Sequence, residues 1–167
     1  YDPALKRANL ASALADPRFR LVEADLTEVD LAGLFAGVDI VWHLAGQPGV
    51  RLSWSDGFDL YTHRNITATQ RVLEAAKSAE VGRIVYASSS SVYGNAERYP
   101  TLETDRPEPY SPYGVTKLAG EHLCSLYASN WNMATVALRY FTVYGPRQRP
   151  DMATHRLINA AFDQTSF

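Results

Sequence analysis

A chain of 167 residues, 46% hydrophobic and 20% charged, has the length and balance of one globular domain with a real core. Its net charge of −2 gives no electrostatic ground for expecting nucleic acid as a partner. No apolar run approaches the ~18 residues of a membrane span, and the single cysteine, Cys124, rules out an internal disulfide and is compatible with a reducing cytoplasm.

In chain order, the pattern predicts a helix over Pro3 to Leu14 and a short strand over Phe19 to Glu23. A helix over Val29 to Phe35 follows, then a buried strand over Asp39 to Leu44 and a long helix from about Phe58 to Ser78. Arg83 to Ser88 reads as a third strand, Tyr113 to Trp131 as a helix after Pro112, and Ala134 to Arg139 as a fourth strand. Strand and helix alternate throughout, so the expected fold class is α/β with parallel strands joined by right-handed crossovers. Ligands of such sheets sit beyond the carboxyl ends of the strands. The conspicuous residues fall there: Asp25 and Leu26, then Leu44, Ala45 and Gly46, then Ser88 to Ser91, then Tyr140 to Gly145.

Within the last helix, Tyr113-Gly-Val-Thr-Lys117 places a phenol and an ammonium four residues apart, hence on one helical face. A free tyrosine titrates near ~10, and a fixed cation beside it stabilises the phenolate, so the pair suits a general base. Ten tyrosines and three lysines make such a spacing a weak signal alone, with roughly 0.2 pairs expected by chance. Its weight comes from the serine run at the end of the preceding strand and from the order of the elements. The serines lack G-x-S-x-G spacing and a His/Asp partner set, which excludes a serine hydrolase. His43 ends a buried strand and forms no ligand spacing with His63, His122 or His155, so a structural histidine and no metal are expected. Cys124 reads as a small core residue.

The stretches Val22 to Leu26, Val41 to Arg51, Asn65 with its helix, Tyr86 to Gly94, Tyr113 to Lys117 and Arg139 to Met152 resemble, in order and spacing, the extended short-chain dehydrogenase/reductase family. Within it the resemblance is to the nucleotide-sugar epimerases, nearest to those acting on UDP-glucuronate. It implies a Rossmann-type doubly wound parallel sheet, with residues 1–167 as part of an NAD-binding domain and 140–167 leading into a substrate-binding region. Two stretches of the family pattern are missing from these residues: the first strand with its G-x-x-G-x-x-G turn, and the C-terminal substrate region.

The resemblance also implies the site. Asp25 and Leu26 would meet the adenine, Leu44, Ala45 and Gly46 the cofactor phosphates, and Tyr140 the nicotinamide. Asn65 would secure the active-site backbone, and Ser88 would complete the NAD contacts. Thr27 rather than Asp25 is expected to cap the helix that follows. Tyr113 would be the base, with Lys117 lowering its pKa, and Ser89 the hydrogen-bonding partner at the reacting oxygen. Sister dehydratases carry Asp-Glu at the positions of Ser90 and Ser91, and the decarboxylases Glu at Ser91, so two serines there favour simple epimerisation.

Arg149 and Thr142, with Arg147 and Arg51 as further candidates, would hold a sugar carboxylate. Diphosphate binding or solvent exposure of these arginines is the alternative. UDP-glucose/galactose epimerisation, a free-cofactor reductase and a non-catalytic dinucleotide sensor are the competing functions. A homodimer is expected through the helices Phe58 to Ser78 and Tyr113 to Trp131, with Leu60, Tyr61, Leu123 and Tyr127 facing away from the sheet.

Overall fold

Ser111 and Pro112 begin the longest helix. The Ser111 backbone is extended, and its hydroxyl accepts the Gly114 N–H at 3.1 Å. Pro112 at the first helical position needs no hydrogen-bond donor. Helix α5 therefore runs Pro112–Trp131 and stops where Asn132 turns left-handed at φ 53°. The computed structural model describes residues 1–166 and divides into two units, one spanning Ala24–Phe141 and one formed by Tyr1–Glu23 with the residues from Thr142 onward.

The larger unit holds a sheet of three parallel strands, β1 (Ile40–His43), β2 (Arg83–Ser89) and β3 (Thr135–Tyr140), in that order. His43 pairs with Tyr86, and Ser89 with Tyr140. Between β1 and β2 the chain runs through α3 (Phe58–Tyr61), a π-helical segment (Thr62–Thr67) and α4 (Ala68–Ser78) without a break. Between β2 and β3 it passes through α5, and the parallel α/β architecture expected from the sequence is present. The core forms where α4 and α5 meet β2: Leu73, Ala76, Ile84, Tyr86, Cys124 and Tyr127 are all buried together. Each large side chain buried there contributes about 1.5–3 kcal/mol. Helix α2 (Leu31–Phe35) packs Leu31 against Val72 and Ala75.

In the smaller unit, α1 (Pro3–Leu14) starts at Asp2, whose carboxylate accepts the Ala4 N–H at 2.8 Å, and Arg7 pairs with Glu23 at 3.2 Å. Helix α6 (Ala153–Asp163), which the pattern did not predict, lies there too.

Four expectations need correction. The strand expected to be buried over Asp39 to Leu44 is β1, whose Ile40 and Trp42 are exposed because it lies at the edge of the three-stranded sheet. Phe19 to Glu23 is not a strand: the Phe19 N–H turns back to the Asp16 carbonyl at 3.0 Å, and no ladder reaches the segment among the described residues. Extended β-prone sequence without a neighbour to pair with is not sheet. Thr27 does not cap α2. Asp30 does, accepting from the Gly33 N–H at 3.1 Å. Leu123 packs half-buried against the cluster of Leu73 and Tyr86, and Tyr61 and Tyr127 do not face away from the core. They are 1% and 5% exposed, because each ring is buried by its neighbours and each hydroxyl finds an internal partner: the Pro48 and Gly49 carbonyls for Tyr61 and the Glu74 carboxylate for Tyr127.

Candidate active site

Ser89, Tyr113 and Lys117 meet in the larger unit, with β2 supplying the serine and the first turns of α5 supplying the other two. The close approach of these elements depends on Gly114. A Cβ there would lie 2.6 Å from the Ser91 carbonyl oxygen and 2.9 Å from the Pro109 Cβ, so only glycine lets α5 press onto the serine turn. The Ser89 hydroxyl accepts the Ser91 N–H at 3.1 Å, which leaves its own hydrogen to donate. The Ser89 hydroxyl also acts on the Tyr113 phenol, where it favours the phenolate. Burial is the larger influence, however. The Tyr113 pKa is raised by desolvation, the Ser89 contact lowers it, and Tyr61, whose ring meets Tyr113 edge-on at 6.1 Å, raises it again.

Lys117 is 6% exposed and donates from Nζ to the Ala87 carbonyl at 2.9 Å, with its ammonium 5.2 Å from the centre of the Tyr86 ring. Burial lowers its pKa to about 8. The expected lowering of Tyr113 by Lys117 is not seen: burial dominates at the phenol, and Lys117 is not among the groups that shift it.

Asn65 sits in the π-helical segment and is 1% exposed. Its Oδ1 accepts the Gln47 N–H at 2.6 Å, and its Nδ2 donates to the Gln47 carbonyl at 3.1 Å and the Thr116 hydroxyl at 3.0 Å. Thr116 in turn donates to the Tyr113 carbonyl at 2.8 Å. One amide thus joins the loop after β1 to the turn of α5 that carries Tyr113. A widened helical turn at such a residue is a common device of functional sites. His43 is the structural histidine expected. Thr69 gives its hydrogen to the Asn65 carbonyl at 2.6 Å, so the His43 Nε2–H must be the donor in the 2.9 Å contact with Thr69. Burial and then the Lys117 charge push its pKa down to about 4.

Asp25, Leu26, Ala45 and Gly46 line one cleft of about 210 Å³ with Ala24, Thr27, Arg64 and Ala68. The Asp25 carboxylate takes both the Thr27 hydroxyl, at 2.6 Å, and the Thr27 N–H, at 2.8 Å, which holds its pKa below the usual range. A Cβ on Gly46 would lie 2.9 Å from Asn65 Oδ1 and 3.2 Å from Lys117 Nζ, so bare backbone is required at this strand end. Small, backbone-rich walls with a charged acceptor at one side could take one end of a dinucleotide. Leu44, 61% exposed, and Tyr140, 40% exposed, lie at the carboxyl ends of β1 and β3. Ser88 turns its hydroxyl to Glu121 Oε1 at 2.5 Å, and Ser90 and Ser91 form the short 3₁₀ turn Ser90–Val92. Arg51 is exposed in the 3₁₀ turn Arg51–Ser53.

Thr142, Arg147 and Arg149 belong to the smaller unit. Arg147 donates to the Asn9 carbonyl at 3.2 Å, and Arg149 holds Asp151 in a bidentate pair. The sequence reading missed Gln47, Thr116, Glu121 and Arg139. Only Glu121 had a signal in the sequence, being four residues beyond Lys117 and so on its helical face.

A family model described as the NAD dependent epimerase/dehydratase family matches residues 3–165. An uncharacterized UDP-glucose epimerase of Bacillus subtilis, YtcB, is 49% identical over 160 residues, covering 96% of this chain and 50% of that protein. UDP-glucuronate 4-epimerase 1 of Arabidopsis thaliana is 46% identical, covering 92% of this chain and 36% of its own length. The crystal structure of UDP-glucuronic acid 4-epimerase from Bacillus cereus, in complex with UDP-glucuronic acid and NAD, matches with a TM-score of 0.89 and 47% identity, over 97% of this chain and 51% of that one. The chain thus spans about half the length, or less, of the relatives it matches. It belongs to the NAD dependent epimerase/dehydratase family.

Proposed function

We propose that this chain carries the catalytic centre of an NAD-dependent nucleotide-sugar 4-epimerase whose substrate is UDP-glucuronate. The observation that carries the reading is the meeting of Ser89, Tyr113 and Lys117 at the carboxyl end of β2, next to the cleft of Asp25, Leu26, Ala45 and Gly46. Those cleft residues, with Leu44, Asn65, Tyr140 and the Ser88 backbone, would hold the dinucleotide, since the Ser88 hydroxyl is taken by Glu121. When bound, NAD would supply a hydride acceptor and donor for the sugar C4 and, in its oxidised form, a positive charge.

Tyr113 takes the proton of the C4 hydroxyl and later returns it. Ser89 donates a hydrogen bond to the reacting oxygen, and its orientation follows from the Ser91 N–H that occupies its lone pair. Lys117 keeps a buried cation beneath the site, and its turn of α5 is fixed by Asn65 through Thr116. Ser90 and Ser91 stand where elimination of water would need a carboxylic acid and a carboxylate. Hydroxyls of ordinary acidity cannot fill those roles, which favours epimerisation over dehydration.

Arg149, assisted by Thr142, is the proposed carboxylate clamp. Its present hold on Asp151 has the bidentate geometry a hexuronate would require. Arg147, engaged by the Asn9 carbonyl, and Arg51 are the weaker candidates. A second copy of the chain is the proposed partner. Leu60, Val115 and Leu126, 41%, 48% and 54% exposed, supply the apolar surface, and a monomer in sedimentation would overturn that assembly. No described helix is long and apolar enough to cross a membrane. The test of the function is conversion of UDP-glucuronate and UDP-glucose, side by side, by the intact protein. Formation of UDP-galacturonate in preference to UDP-galactose is expected, and conversion of neither sugar would overturn the reading.

A further inference from the structure

Glu121 lies one helical turn beyond Lys117, and its side chain is 12% exposed. Its Oε1 accepts from the Ser88 hydroxyl at 2.5 Å and from Arg139 Nε at 3.0 Å, and its Oε2 accepts from the Arg139 terminal nitrogen at 2.9 Å. Arg139, 18% exposed, also lies over the Tyr93 ring at 4.8 Å and donates to the Glu103 carbonyl at 3.4 Å. Ser88 directly precedes Ser89 at the end of β2. Arg139 directly precedes Tyr140 at the end of β3, and Ser89 and Tyr140 are register partners. One carboxylate on the Tyr113 helix therefore grips both strand ends.

A buried ion pair is weak evidence for stability, since apolar replacements of similar volume are often neutral. Its bidentate form does fix geometry. We infer that Glu121 is a positioning residue: by tying Ser88 and Arg139 to α5 it sets the separation between the Ser89 hydroxyl and the Tyr113 phenol. The inference rests on the reading of Ser89 and Tyr113 as the reacting pair. Displacement of a reacting group by about 1 Å costs up to roughly a hundredfold in rate, so the effect belongs in kcat.

The test uses the intact protein with UDP-glucuronate, comparing the parent with Glu121→Gln, Ser88→Ala and the apolar pair Glu121→Leu with Arg139→Met. The expected result for Glu121→Gln and the apolar pair is a kcat lowered by roughly ten- to a hundredfold. KM should change little, NAD should be retained, and the apolar pair should keep the parent's thermal midpoint. Ser88→Ala deletes one oxygen and leaves the ion pair intact; its kcat should fall less, at an unchanged midpoint. It decides the matter if the Glu121 variants do not fold. Variants with parental kcat, or with a lowered midpoint as their only defect, overturn the inference alone. A parent that converts no UDP-sugar overturns the reading of Ser89 and Tyr113, and the inference with it.

Discussion

Asn65 holds Gln47 as a neighbouring strand would, accepting its N–H at 2.6 Å and donating to its carbonyl at 3.1 Å. Two backbone groups of an irregular loop are thereby satisfied by one side chain, and the third contact, to Thr116, reaches α5. Asn65→Asp keeps the shape but turns the donor into an acceptor facing the Gln47 carbonyl and the Thr116 hydroxyl. The expected cost is about 1–3 kcal/mol for buried groups left unpaired, read as a lower urea midpoint. An unchanged midpoint would show that the loop is held by other contacts.

Gly114→Ala sets two effects against each other. Helix propensity favours alanine by about 1 kcal/mol, but the new Cβ would lie 2.6 Å from the Ser91 carbonyl oxygen, a backbone atom that cannot swing aside. Overpacking of this kind costs about 1–3 kcal/mol, and it displaces α5 from the serine turn. Net destabilisation with reduced turnover is expected. A variant more stable than the parent and equally active would contradict the packing.

The pH dependence of stability has a definite sign at His43. Its folded pKa of about 4 lies below the ordinary value of 6.5, so the unfolded chain binds the proton more readily. Stability is therefore complete above about pH 6.5 and is lost as pH falls from there toward the folded value, by about 3 kcal/mol at most. In chemical denaturation, His43→Gln should flatten this decline between pH 7 and pH 4. Equal slopes for parent and variant would remove His43 as its source.

Tyr113→Phe should leave NAD bound and lower turnover by about 10²- to 10⁴-fold, the usual loss of a positioned general base. Because burial holds the Tyr113 pKa up, protein stripped of NAD should show no Tyr113 phenolate absorbance at neutral pH. Phenolate at pH 7 without cofactor would contradict the environment described.

Arg149→Ala separates carboxylate recognition from diphosphate binding. Affinity for UDP-glucuronate should fall by about 1.5–3 kcal/mol, the range for hydrogen bonds to charged groups, while affinity for a neutral UDP-hexose changes much less. A pentose product from CO₂ loss should also appear, since a freed carboxylate can align with the C4 carbonyl. Equal losses for both sugars would reassign the arginine.

The parallel strands and the Tyr113 helix were legible because their signals are local: apolar runs, a proline at the helix start and helical periodicity. Phe19 to Glu23 looked the same locally and failed, since a strand is completed only by a partner elsewhere. Tyr61 was misread because a tyrosine on an amphipathic helix gives no sign that the Pro48 and Gly49 carbonyls await its hydroxyl. Glu121 carried only its four-residue spacing from Lys117. A glutamate in a helix resembles a solvated face, and its partners lie 33 and 18 residues away in sequence. The π-helical segment at Asn65 has no composition of its own, and only the mid-helix asparagine hinted at it.

The central claim is that the sugar C4 is oxidised and reduced within one site that Tyr113, Ser89 and Lys117 define. The most direct measurement supplies UDP-glucuronate deuterated at C4 to the intact protein and determines the label in the recovered UDP-galacturonate. Retention of deuterium at C4, without incorporation from solvent, is the predicted result. A product that has lost the label, or no UDP-galacturonate at all, would contradict the account.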